Sequence, residues 1–152
     1  MEQLITKKIN FNQPNANMIL PKIIEDPKKM NKIESVAYLF VTLMESDGKI
    51  VNEEIKTWSE MVENRWPDID KSEVDQALND CSYSFKNQNA SQQKIFLEET
   101  FRNLKQYLDE SELDNLAKDI AILIQSDGVI AIEEMGISGL LNWKLGVNVH
   151  FD

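Results

Sequence analysis

Histidine and cysteine are almost absent: the chain has one of each, His150 and Cys81. A lone cysteine allows no intramolecular disulfide and fits a reducing compartment. A single histidine two residues from the C-terminus excludes the paired-histidine spacings of zinc and di-iron bundle sites. It also leaves Cys81 without a neighbouring base in sequence, so a buried structural thiol is expected rather than a nucleophile. There is no Walker A loop, no dinucleotide fingerprint and no nucleophile elbow.

Glycine and proline are scarce too, with five and four residues, and three of the prolines fall before residue 30. Few stretches alternate apolar and polar residues, and many repeat every three to four. The expectation is an all-α chain. The longest near-apolar run, residues 36–44, is nine residues and includes Thr42, well short of the roughly 18–20 needed to span a bilayer. No signal-peptide pattern is visible. A cytoplasmic protein with no integral membrane segment is expected.

What the chain does have is acid. Its 152 residues carry 26 acidic and 16 basic side chains, a net charge of −10. Such a balance lacks the basic face that neutralises phosphates, which argues against a nucleic-acid partner. The charge is uneven. Residues 1–32 hold six lysines and three acids, while residues 33–152 carry a net −13. This suggests a basic arm, residues 1–27, and one helical domain, residues 28–152. The arm reads as irregular, with one short helix near residues 18–25. Its lysines give it a means of lying on the acidic body, in cis or on a second copy as a homodimer.

The body reads as a compact domain of about six to seven helices. The first, 28–46, carries a wide apolar stripe through Ile33, Val36, Ala37, Phe40, Val41, Leu43 and Met44, and should be deeply buried. A second starts near Glu53 and stops before Pro67. A third opens at Asp70-Lys71-Ser72-Glu73, which resembles a capping box. Ser91 is expected to cap a fourth. Asp109 and Glu112 suggest a cap for a fifth, 110–126, and a sixth spans 133–144. Trp58, Trp66 and Trp143 are expected to close the core, with Trp66 the one placed to meet a partner.

One pattern recurs. Residues 46–55, Ser-Asp-Gly-Lys-Ile-Val-Asn-Glu-Glu-Ile, align with residues 126–135, Ser-Asp-Gly-Val-Ile-Ala-Ile-Glu-Glu-Met, at an offset of 80 with six of ten positions identical. Each copy joins an apolar helix to an acid-started one, so two pseudo-symmetric helix–Asp-Gly–helix hairpins are expected. Two readings fit them. In the first they are turns: glycine reverses the chain, Ile50 and Ile130 anchor it, and the acids cap. In the second, Asp47, Glu53, Glu54, Asp127, Glu133 and Glu134 offer oxygen ligands to a divalent cation such as Ca²⁺ or Mg²⁺. The spacing matches the second half of an EF-hand loop. The first EF-hand ligand position, however, falls on Leu43 and Leu123, so these are not standard EF-hands.

The doubled Asp-Gly-x-Ile-x-x-x-Glu motif, in an acidic helical chain of this size, resembles the tellurite-resistance TerB family and the N-terminal region of certain DnaJ-type co-chaperones. The closing Leu140-Leu141-Asn142-Trp143-Lys144-Leu145-Gly146-Val147 is similar to the end of such domains. The resemblance spans roughly residues 33–147. It implies a compact all-α fold, no established catalysis, a link to chemical-stress responses and a divalent-metal role for the acidic motif. Ile132 departs from the capping residue that Asn52 supplies in the first copy. Three functions are therefore on the table: a non-enzymatic stress-response domain binding a divalent cation, a protein-interaction module with purely structural turns, and an enzyme using paired carboxylates. With 26 acids such pairs are inevitable by chance, which leaves the third with no specific support.

Overall fold

In a computed structural model, residues 20–45 and 52–124 are described, with side chains for 20–44 and 55–120. Every regular element among them is helical. After a 3₁₀ turn at Pro27–Lys29 come α1 (Lys32–Glu45), α2 (Asn52–Arg65), α3 (Lys71–Lys86), α4 (Ala90–Tyr107) and α5 (Glu110–Ile124). The sixth helix, Trp143, His150 and the Asp-Gly turns of both hairpins lie outside the described residues.

α1 is the centre. The most extensive helix contacts are those of α1 with α3 and with α4. α2 packs on α3 and α5, and α4 touches α5 and the 3₁₀ turn. Residues Ser35 to Val41 are completely buried, and Leu43 with them. A helix that is apolar nearly all round must be covered on every side, which accounts for the burial the sequence predicts for it. Thr42 donates from Oγ1 to the Tyr38 carbonyl at 2.8 Å. Tyr38 keeps its ring against Phe85 and Phe96, at 6.0 and 5.5 Å between centroids. Its hydroxyl donates to Gln88 Oε1 at 2.6 Å. Phe40 stacks at a tilt on Trp58, 5.4 Å away. Trp66 is tucked against the core, with Lys32 Nζ 5.1 Å above its ring, so α1's start is tied to α2's end.

The helix starts differ from expectation in three places. α1 begins at Lys32, not near residue 28. Pro27 fixes the chain in the 3₁₀ turn, and Asn31 and Glu34 then form a reciprocal capping pair, each accepting the other's backbone N–H at 2.8 and 2.9 Å. α4 is capped by Asn89 with Gln92, two residues ahead of Ser91. At α3, Asp70 occupies the cap position, but its side chain accepts no cap hydrogen bond from the helix backbone. Glu73 donates its N–H to the Asp70 backbone carbonyl instead. The Asp109–Glu112 pair forms as expected.

Two substitutions in the core should move stability in opposite directions. Phe40→Ala should cost about 3–5 kcal/mol through lost burial and the cavity left behind. Ser35 Oγ is fully buried and has no hydrogen-bond partner among the described residues. Ser35→Ala removes an unsatisfied group and should leave stability unchanged or raise it by up to about 1 kcal/mol. Urea unfolding midpoints of the two variants check both.

Candidate functional site

The most specific polar arrangement among the described residues lies along α3. The apolar residues Val74, Ala77, Leu78 and Cys81 are buried against the core. Beside that stripe runs a polar row, Gln76, Asp80 and Ser84, spaced every four residues. A helix turns 100° per residue, so each step of four advances by about 40°. The row thus drifts from the flank into the buried stripe. Gln76 is half-buried, whereas Asp80 and Ser84 are 1% exposed.

These three side chains hold residues 20–24 as an extended strap. Gln76 Nε2 donates to the Leu20 carbonyl at 3.2 Å. The Lys22 N–H donates to Asp80 Oδ1 at 3.0 Å. The Ile24 N–H donates to Ser84 Oγ at 2.8 Å, and that hydroxyl reaches back to the Lys22 carbonyl at 3.5 Å. Gln76 also braces the carboxylate, donating to Asp80 Oδ1 at 2.8 Å. The strap does not form the short helix expected near residues 18–25, because residues 20–26 are not helical. Pro21 lacks an N–H and the backbone finds its partners on α3 instead.

The spacing is what makes this fit. Four residues of helix rise about 6 Å, and two residues of extended chain span about 6.6 Å. Successive members of the row therefore meet every second residue of the strap, Leu20, Lys22 and Ile24 in turn. The hydrogen bonds between row and strap all use the strap's backbone. Leu20 and Ile23 point outward at 79% and 46% exposure, and only Ile24 packs on the core. Downstream, the 3₁₀ turn is pinned by Asn103 Nδ2 to the Pro27 carbonyl at 2.8 Å and by Tyr107 Oη to the Met30 carbonyl at 3.1 Å.

Asp80 is a buried carboxylate with no cationic partner among the described residues. Its Oδ1 accepts from one backbone N–H and one amide, the kind of partner a buried carboxylate requires. Cys81, next along, donates its Sγ–H to the Glu34 carbonyl at 3.2 Å. Burial pushes the thiol well above its ordinary value of 9.0, and the charges of Glu34 and Asp80 push it the same way. It is held neutral, as expected of a structural cysteine.

A second feature is an open cleft of about 560 Å³ between α2 and α5, lined by Thr57, Glu60, Met61, Asn64, Arg65 and Asp119. Arg65 bridges it, donating from Nε and Nη2 to one oxygen of Asp119 at 2.9 and 2.6 Å. This pair clips the two helices together at a half-exposed position.

Of the residues proposed as cation ligands, Glu53 and Glu54 fall in the first turn of α2. Their side chains, and Asp47, Asp127, Glu133 and Glu134, lie outside what is described. Among the described residues no group of three or more His, Cys, Asp or Glu could hold a metal ion. No described helix is long and apolar enough to cross a membrane. Gln76, Asp80 and Ser84 were not singled out from sequence. Their signal was legible as polar residues every four positions beside an apolar stripe, a pattern easily taken for a solvated face. Comparison with known proteins finds no matching family model, no matching curated protein and no matching solved structure.

The state of Cys81 predicts how stability depends on pH. Its native thiol holds its proton above pH 9, whereas the unfolded thiol releases it near its ordinary 9.0. The unfolded state therefore gains as pH rises through that value, and native stability falls. Urea midpoints measured between pH 8 and 10 should decline, and Cys81→Ala should flatten the decline around pH 9. For the half-exposed Arg65–Asp119 pair, Asp119→Asn should cost only about 1 kcal/mol or less in the same assay.

Proposed function

We propose that this chain is a non-enzymatic docking domain that binds extended polypeptide by its backbone. The observation that supports this best is the α3 row, which already seats an extended segment in register through three polar side chains. A site that reads carbonyl and N–H groups tolerates many side chains, the economy used wherever main-chain hydrogen bonds supply affinity and a few pockets supply selectivity. The exposed side chain of Tyr83 lies on the same helix and offers an aromatic contact beside the seat. The acidic body favours partners that carry positive charge.

Panning the full-length protein against a random peptide library tests this. Enrichment of sequences that share an aliphatic anchor, lost for a Gln76→Ala, Ser84→Ala variant that remains folded by circular dichroism, is the expected result. No enrichment, or enrichment unchanged by the double substitution, would count against docking on α3.

A second reading rests on the doubled Asp-Gly motif. In it the chain is a stress-response domain of TerB type that takes a divalent cation, Ca²⁺ or Mg²⁺, at Asp47, Glu53, Glu54, Asp127, Glu133 and Glu134. Hard oxygen ligands of this kind match hard cations. Calorimetric titration of Ca²⁺, Mg²⁺, Zn²⁺ and Mn²⁺ should give heats with the wild type that vanish for Asp47→Asn, Asp127→Asn. Absent heats with the wild type would remove this reading and leave the hairpins as turns.

A further inference from the structure

We propose that residues 20–24 are a displaceable self-ligand: the strap occupies the Gln76–Asp80–Ser84 row until an extended segment of a partner protein takes its place. This rests on reading the row as a polypeptide seat and adds how that seat is regulated and what it accepts.

Three observations carry it. First, the hydrogen bonds between row and strap all use strap backbone, so nothing in them distinguishes this strap from another extended chain. Second, the strap commits little side-chain surface. Leu20 and Ile23 are exposed, Pro21 is half-buried, and Ile24 rests on the core. Its hold is therefore weak compared with that of the helices, and local opening is expected well below the cost of global unfolding. Third, when the strap lifts, Asp80 Oδ1 loses the Lys22 N–H and is open to another N–H in its place, so strap and partner segment compete for one acceptor. The pinned 3₁₀ turn marks where release stops: Pro27 and Met30 stay fixed through Asn103 and Tyr107 while the segment before them lifts.

The same geometry defines the incoming segment. It is extended, with N–H groups at two positions two residues apart, so proline is excluded at both. It carries an aliphatic side chain where Ile24 sits. An acidic residue at the Lys22 position is disfavoured by the Asp80 charge, and basic character is favoured by the net −13 of residues 33–152 against the net +3 of residues 1–32.

Native-state hydrogen exchange on the full-length protein reads the release directly. The Lys22 and Ile24 amides should exchange at least about tenfold faster than the amides of α1. Ser84→Ala should speed Ile24 by roughly fivefold more while leaving α1 unchanged. Exchange of both strap amides at the rate of α1 overturns the proposal and makes the strap a fixed part of the core. The seat is then probed with a capped, fluorescent peptide of residues 20–24, Leu-Pro-Lys-Ile-Ile. It should bind the wild type saturably and bind an Ile24→Asp chain, whose own strap is loosened, about tenfold tighter. The peptide N-methylated at its Lys22 and Ile24 positions lacks both donors and should not bind, and Gln76→Ala should weaken binding of the parent peptide. Equal binding of the methylated peptide, or none by either chain, overturns displacement even if panning finds ligands elsewhere on the protein. A concentration-dependent dimer in light scattering with strap amides still protected overturns it in favour of strap exchange between two copies.

Discussion

Everything in the described structure depends on burying α1. Its central residues have no solvent-facing side, so the rest of the chain must supply cover from several directions at once. α3 and α4 take the largest shares, and Phe40 meets Trp58 of α2. Each large side chain fully withdrawn from water contributes about 1.5–3 kcal/mol, and α1 holds several. Under that burial Thr42 bonds within the helix, Tyr38 reaches out to Gln88, and Ser35 Oγ has no partner among the described residues. Cys81 sits where α3 meets α1, and its thiol is kept neutral by burial and by the nearby charges of Glu34 and Asp80.

Residues 20–24 and α3 meet through a coincidence of periods. The strap is held by its backbone, and the Lys22 side chain is exposed. Helical steps of four and extended steps of two have nearly the same length, so a row of polar residues on a helix can track a strand-like segment for three contacts before its 40° drift carries it away. Here that drift is used. It takes the row from the half-buried Gln76 to the buried Ser84, so the segment enters at the surface and is led down to Ile24 and the core.

The helices were largely legible because burial and period agree along them. The stripe of α1 reads directly as a buried face, and Asp109 with Glu112 read directly as a cap. Other caps were misplaced because competing residues lay within two positions. Asn89 and Ser91 are both good caps, and the reciprocal hydrogen bonds with Gln92 go to Asn89. Asn31 with Glu34 was hidden inside a stretch read as continuous helix. The strap row escaped notice for a different reason. Gln76, Asp80 and Ser84 look like an outward face, and nothing local says that a segment more than fifty residues earlier will cover them.

The sequence by itself determined that this is a helical chain with a central buried helix and a neutral, unpaired cysteine, because 3.6-residue periodicity and apolar density are local properties. Only the tertiary structure decided which polar residues matter. Asp80 becomes a buried carboxylate, and Ser84 a buried hydroxyl, through the arrival of residues 20–24. Sequence separations of 58 and 60 residues close those two contacts. A pairing at that distance leaves no periodic trace, since it is set by where α3 lies relative to the 3₁₀ turn and by the matching rise of helix and extended chain.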